Sequence, residues 1–273
     1  MTTVMRFSSL GDVGLAASVT GALGEVAFRT LPRYHDLVRR FPGVVCALGP
    51  ADAAPPGRVV DLHNNLRSRQ YRADTRLSRQ DWRRRSRVWF KTAPADPVIL
   101  RYARAAGVVA SPPPWLPRVE RGSALVLAPG AAHATKRWPY WKELAASWDG
   151  PVRAIGGPGD EALVAALGGE VESGFERTLD AMQGGAVLVA GDTGLLHLGV
   201  AAGLPVVGLF GPTTAEDGFF TYGAGVPAQA LELPLSCRPC SRFGGAECPV
   251  GDHACLRDLP VERVLAAALA MAR

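Results

Sequence analysis

Two uninterrupted apolar runs, AVLVAG at 186–191 and PVVGLFG at 205–211, enclose the helix-length stretch GLLHLGVAAG. A run that is apolar throughout, rather than at alternate positions, suits a strand buried on both faces. Two such runs joined by a helix read as one βαβ unit of a parallel sheet. The alternation recurs on either side. TVMRFSSL, EVAFRTLP, VVCALG and RVVDLH read as strands early in the chain, with VGLAASVTGAL and RYHDLVRRF as helices among them and GD as the turn into the first helix. ALVLAPG and VRAIGGPGD read as strands further on, followed by the helices WPYWKELAASW and EALVAALG. Between the two series lies SPPPWLPR (111–118), with four prolines in eight residues and no period, the best candidate for a linker. The prediction is an α/β chain with one domain over 1–112, a second over 119–258, and a last helix, PVERVLAAALA, within 259–273. An apolar fraction of 48% in 273 residues supports real cores, and 20% charged residues argues against wholesale disorder. No apolar stretch approaches the length of a membrane span. VGLAASVTGALG is bracketed by Asp12 and Glu25, unlike a signal-peptide core, so a cytoplasmic location is expected.

In a parallel α/β sheet, ligands bind beyond the carboxyl ends of the strands. Four such ends are visible here: APGAAHATK, GGPGDE, GDTGLLH and FGPTTAEDG. GDTG opens a helix, where Thr193 can act as cap and Gly194 lets a ligand reach the backbone. The free N–H groups there attract an anion. His197 follows one turn later, and Lys136 and Arg137 add positive charge from the preceding loop. Taken together these residues point to a phosphate-bearing ligand, a nucleotide. Taken singly, Asp192-Thr193 reads as a plain cap and His197 as a packing residue. The chain has neither a GxxxxGK[ST] loop nor a GxGxxG turn after the first strand, which argues against P-loop and dinucleotide sites.

GDTGLLHLGVAAGLPVVGLFGPTT resembles the nucleotide-sugar site of the bacterial heptosyltransferases, glycosyltransferase family 9. RFSSLGDVGLA, VVDLHNNLRS, APGAAHATKRWP and the tail CRPCSRFGGAECPVGDHACLRDLPVERV extend the resemblance through both halves of the chain. It implies a GT-B fold, two Rossmann-like domains with parallel sheets facing a central cleft, the last helix returning to the first domain. It implies inverting transfer of a sugar from a nucleotide donor, ADP-heptose, to an acceptor hydroxyl with no cofactor for catalysis. The family's carboxylate base falls on Asp12, which read from the residues alone serves equally as a helix cap. Its donor site falls on Lys136, Asp192, Thr193, Gly194 and His197, with the ribose-contacting acid at Asp160 or Glu161. The competing expectation is a non-catalytic relative that binds nucleotide or acidic glycan in an assembly or regulatory role.

The net charge of +5 is concentrated: nine arginines and one lysine face three aspartates between Asp61 and Lys91. A solvated basic helix is the plain reading. The resemblance adds an acidic, lipid-linked lipopolysaccharide-core acceptor, with Arg67, Arg69, Arg72 and Arg76 binding its phosphate or carboxylate groups. Such an acceptor implies peripheral contact with the cytoplasmic face of the inner membrane. Nucleic acid is not expected, because Tyr71, Trp82 and Trp89 form no stacking motif. Cys237, Cys240, Cys248 and Cys255 follow the spacing C-x2-C-x7-C-x6-C, with Cys46 apart. In a reducing compartment four such thiols suit a structural zinc or an iron–sulfur cluster, or else free thiols packing a loop.

Overall fold

Among the described residues every strand pair is parallel, and the strands fall into two five-stranded sheets. The computed structural model describes residues 1–77, 88, 95–169, 175–220 and 225–273. Trp82, Trp89, Arg79, Arg83, Arg84, Arg85 and Arg87 lie outside them.

The first sheet has β1 (Thr2–Met5), β2 (Val26–Arg29), β3 (Val44–Leu48), β4 (Val59–Asp61) and β5 (Thr75–Arg76) in the order β3-β2-β1-β4-β5. The second has β6 (Arg121–Ala128), β7 (Val152–Ala154), β8 (Gly185–Gly191), β9 (Val206–Leu209) and β10 (Ala228–Leu231) in the order β10-β9-β8-β6-β7. In each sheet the chain starts in the interior, builds outward on one side, and then crosses to the other. The crossing leaves a crevice at the carboxyl ends of two neighbouring strands, β1 and β4 in one sheet, β6 and β8 in the other. Asp12 follows β1, Lys136 follows β6 and Asp192 follows β8.

All seven residues of β8 are buried, the outcome that its unbroken apolar run requires. Val187 and Val189 join Leu125, Leu127, Trp138 and Trp141 in one core. Leu188 and Ala190 face a second core, which also takes in Val4 and Phe28 of the first sheet and Val13 of the helix after β1. That shared core runs through α1 (Leu10–Ala17) and α7 (Gly194–Ala201), the helices that open at the two crevices. Burying one leucine such as Leu196, fully inaccessible here, contributes about 1.5–3 kcal/mol.

The helices meet start to start. A Cβ on Gly194 would lie 2.7 Å from the Leu10 side chain, and one on Gly11 would lie 2.6 Å from the His197 ring. Only hydrogen at these two positions lets the two crevices face each other across so short a gap.

Two expectations need correction. GD is not the turn before the first helix: Ser9 is the N-cap and Asp12 lies inside the first turn at N3, where its carboxylate accepts the Ser9 N–H at 3.4 Å. A serine followed three residues on by an acid satisfies two orphan donors at once, so the helix starts one turn earlier. The last helix, α9 (Val261–Ala272), does not return to the first domain. Its Val264, Ala267 and Ala268 pack with Leu125, Leu127 and Val207 of the second sheet. Arg121 also donates to the carbonyls of Met271 and Ala272. Among the described residues no helix is long and apolar enough to cross a membrane.

Candidate active site

The crevices enclose two cavities that meet at the start of α7. The smaller, of about 120 Å³, is lined from the first domain by Ser9, Gly11 and Asp12 and from the second by Lys136, Asp192, Thr193 and His197. The larger, of about 660 Å³, lies among Leu10, Arg33, Tyr34 and the glycine-rich turns Gly130–Ala132 and Gly156–Asp160. Thr193 and Gly194 line both.

Lys136 and Asp192 form an ion pair at 2.6 Å, each side chain 13% exposed. The Lys136 ammonium also donates to the Asp192 carbonyl at 2.9 Å, and Thr213 Oγ1 donates to Asp192 Oδ2 at 2.7 Å. Burial alone would raise the Asp192 carboxyl. The Lys136 charge and hydrogen bond, with smaller help from the Thr213 hydrogen bond, outweigh it and hold the group below the ordinary aspartate range. His197 is pushed down chiefly by burial, against the pull of Asp192 and Asp12, and so sits in the cleft as a neutral ring.

Thr193 occupies the N-cap position in extended conformation, yet its hydroxyl makes no capping hydrogen bond. The Thr193 Oγ1 atom is buried and has no hydrogen-bond partner. A buried hydroxyl left so costs about 1–3 kcal/mol. Thr193 and Gly194 line both cavities, so the start of α7 lies beside them, a setting suited to an anion.

On the opposite wall, Arg6 reaches Asp12 Oδ2 at 2.8 Å, Ser9 Oγ donates to the same oxygen at 3.1 Å, and the Tyr102 hydroxyl donates to Oδ1 at 3.2 Å. Asp12 therefore enters the cleft as an oriented carboxylate at a helix N-terminus.

The other expected residues divide. Asp160 lines the larger cavity, where it closes its own turn by accepting the Gly157 N–H at 3.0 Å. Glu161 lines neither cavity and accepts the Gly159 N–H instead. Arg137 lines the larger cavity with Nε donating to the Ala131 carbonyl. Of the four arginines, none lines either cavity. Arg76 is spent on the fold: it pairs with the fully buried Asp61 at 2.5 Å and donates to the Tyr71 carbonyl. Arg69 donates to Asn64.

None of the four clustered cysteines is joined in a disulfide, and Cys255 feels the other three as well as Arg238, though burial is the main cause of its rise to about 11. Among the described residues no group of three or more His, Cys, Asp or Glu is placed to hold a metal ion. The loop is fastened by other means. Arg238, with its side chain 4% exposed, donates to the carbonyls of Phe210, Gly211, Thr213 and Leu233 and pairs with Glu232. Thr135 exchanges hydrogen bonds with Gly245, at 3.2 Å from its N–H and 2.8 Å to its hydroxyl. These anchors bring Arg242 and Phe243 to the mouth of the smaller cavity. The sequence reading missed them, as it missed Arg6 and Tyr102. Thr213, Thr214 and Asp217 were visible only as members of FGPTTAEDG.

His63, at the end of β4, accepts the Phe7 N–H through Nδ1 at 3.1 Å. Burial first, then Arg6, lowers its pKa to about 4. Between about pH 4 and the unfolded value near 6.5 the unfolded chain binds a proton that the folded one does not, so stability rises with pH through that window. The urea midpoint, measured from pH 4 to 7, is expected to climb over this range, and less steeply in His63→Gln. An equal slope in both would remove His63 as a cause.

Comparison with known proteins agrees with this architecture. The chain is 30% identical over 154 residues to lipopolysaccharide heptosyltransferase 1 of Pseudomonas aeruginosa, a match covering 52% of this chain and 42% of that relative. The aligned region thus spans less than half the length of the curated relative. In structure it is similar to a family 9 glycosyltransferase from Veillonella parvula (TM-score 0.73, 16% identity, covering 99% of this chain and 96% of the other). It is equally similar to E. coli ADP-heptose lipopolysaccharide heptosyltransferase II (TM-score 0.73, 18% identity, covering 99% and 98%). At such identities these two likenesses establish the GT-B fold. The model of glycosyltransferase family 9 (heptosyltransferase) matches residues 110–247, half of the chain, from the linker through β8, α7 and the loop bearing Arg242, and the chain belongs to that family.

Proposed function

We propose that the protein transfers a heptose from ADP-heptose to a hydroxyl of an acidic, lipid-linked glycan, with inversion at the anomeric carbon. One observation carries the reading: Asp12 from one sheet and Lys136, Asp192, Thr193 and His197 from the other line a single cavity. The nucleoside fits the larger, less polar cavity, with Asp160 at the ribose. The diphosphate lies over the start of α7, and the sugar lies toward Asp12. The Asp12 carboxylate takes the acceptor hydroxyl proton as that oxygen attacks the anomeric carbon. The bond from that carbon to the phosphate oxygen breaks, and ADP departs with the bonding electrons. Lys136 and the α7 N-terminus stabilise the negative charge that develops, and neutral His197 is free to hydrogen-bond the sugar or phosphate without adding charge. No step is routed through a metal ion. Arg67, Arg69 and Arg72 remain the basic surface offered to the acceptor, and a lipid-anchored acceptor would bring the protein to the cytoplasmic face of the membrane.

The donor half of this reading is tested by thermal shift with ADP, UDP, GDP and CDP. A ligand at 100 times its Kd stabilises the folded state by about 2.7 kcal/mol. ADP is expected to raise the melting temperature most, and Thr193→Val, which keeps the shape and removes the hydroxyl, to lose much of the rise. No rise with any nucleotide would remove the donor site and favour a relative with another role.

A further inference from the structure

Arg6, Asp12 and Tyr102 touch one another pairwise. Arg6 is ion-paired to Asp12 at 2.8 Å, Tyr102 donates to Asp12 at 3.2 Å, and the Arg6 guanidinium lies 5.7 Å from the centre of the Tyr102 ring. The three come from the residue that follows β1, from α1 and from α3 (Val98–Ala106), and Tyr102 is 90 residues from Asp12. We propose that Arg6 and Tyr102 are positioning residues, which orient the Asp12 carboxylate toward the acceptor hydroxyl and keep it ionised in the closed cleft. The proposal rests on the reading of Asp12 as the base.

The geometry leaves Arg6 little choice. Its Nε donates to the Ser8 carbonyl at 2.9 Å and its Nη1 to the Leu62 carbonyl at 2.8 Å. With the planar fork pinned on that side, Nη2 is delivered to Asp12 Oδ2. Tyr102 is 1% exposed and packs in the shared apolar core. Phenylalanine would fill that volume equally well, so the hydroxyl is accounted for by what it bonds. Burial first, then the Asp12 charge, raises the phenol well above its ordinary value, so it remains a donor throughout the working pH range. Arg6 and Tyr102 hold opposite oxygens of the carboxylate, which fixes the plane of the group as well as its position.

The surroundings make such wiring necessary. Asp12 shares its cavity with Lys136, Asp192, His197, Asp217 and Arg242 from the second domain, and His63 interacts with it from the end of β4. Both histidines are neutral, and Lys136 is already committed to Asp192. Among the described residues Arg6 is a cation bonded directly to the base, at 2.8 Å. Without it, a carboxylate in this closed cleft would gain a proton more readily and lose its capacity to accept one.

The test uses the full chain labelled with carboxyl-13C aspartate, with the Asp12 signal assigned through Asp12→Asn. The Asp12 titration is followed by NMR in wild type, Tyr102→Phe and Arg6→Lys. ADP release from ADP-heptose with a phosphorylated core-oligosaccharide acceptor is measured against pH in the same proteins. Tyr102→Phe is expected to move the Asp12 titration, and the acid limb of kcat with it, toward neutral by about one pH unit. It should also lower kcat about tenfold with donor KM unchanged within about twofold. Arg6→Lys, which keeps the charge but not the fork, is expected to hold the acid limb closer to wild type while kcat falls. An unmoved titration and an unmoved acid limb in Tyr102→Phe would overturn the proposal, whatever the loss of rate. A titration that moves in a chain transferring no sugar would support control of the carboxylate and overturn the transferase reading alone.

Discussion

Asp12→Asn is expected to lower turnover by about 10²–10⁴-fold, the usual range for removing a general base, while ADP binding stays close to wild type. Asparagine is the right probe because the site can accommodate it. Its remaining carbonyl oxygen can take the Arg6 Nη2 that now bonds Oδ2. Its amide then faces the Tyr102 hydroxyl, which can turn from donor to acceptor. Alanine would leave a largely buried guanidinium without its acid, the kind of change that costs about 3–5 kcal/mol and confuses catalysis with folding. In the asparagine variant Arg6 keeps the Ser8 and Leu62 carbonyls, so a smaller stability loss is expected. Calorimetric titration with ADP beside an ADP-release assay separates the outcomes. Lost turnover with retained binding supports the base. If binding disappears as well, Asp12 holds the cleft together rather than taking a proton.

Lys136→Met should have the largest effect on the donor side. It removes the ammonium from Asp192 Oδ2 and from the Asp192 carbonyl, leaving the carboxylate with Thr213. The influence that holds the Asp192 carboxyl below its ordinary range goes with it, and burial drives the group toward its protonated form. In the proposed reaction the departing diphosphate loses the charge of Lys136. Removing one such electrostatic donor costs about 10²–10³ in rate, and a similar loss in kcat is expected here, together with weaker ADP binding. Arginine is not expected to rescue it, because the stem is enclosed: a Cβ on Gly244 would lie 3.2 Å from Lys136 Cγ. A second substitution tells structure from chemistry. Lys136→Met with Asp192→Asn removes the unpaired buried charge and is expected to recover much of the stability but none of the activity. If activity returned in the double variant, Lys136 would serve only to neutralise Asp192.

The strand–helix–strand unit at 185–209 was legible in the sequence because burial on both faces leaves a local mark, an apolar residue at every position. The same pattern placed the loops after β6, β8 and β9 at one edge of a sheet, and so Lys136, Asp192, Thr193 and His197 in one neighbourhood. Asp12 was legible only through resemblance. Its residues alone allowed a cap; in the structure Ser9 is the cap, and Asp12 at N3 accepts the Ser9 N–H while facing the cleft. Arg76 illustrates a limit that generalises. A run of arginines shows charge, but not which member a buried acid such as Asp61 will demand. The cysteines drew attention by their spacing, whereas Arg238 and Thr135, ordinary in the sequence, fasten that loop.

By itself, then, the sequence determined the class of the molecule: two parallel sheets, a proline-rich joint, and glycine-rich turns where an anion can approach the backbone. These follow from periodicity and turn chemistry, which act over a few residues. Only the tertiary structure decided that Tyr102 meets Asp12, that Asp160 rather than Glu161 lines the cleft, and that α9 stays with the second sheet. Polar partners are chosen where burial makes an unmet charge or hydroxyl costly, and which groups are buried together depends on segments far apart in the chain.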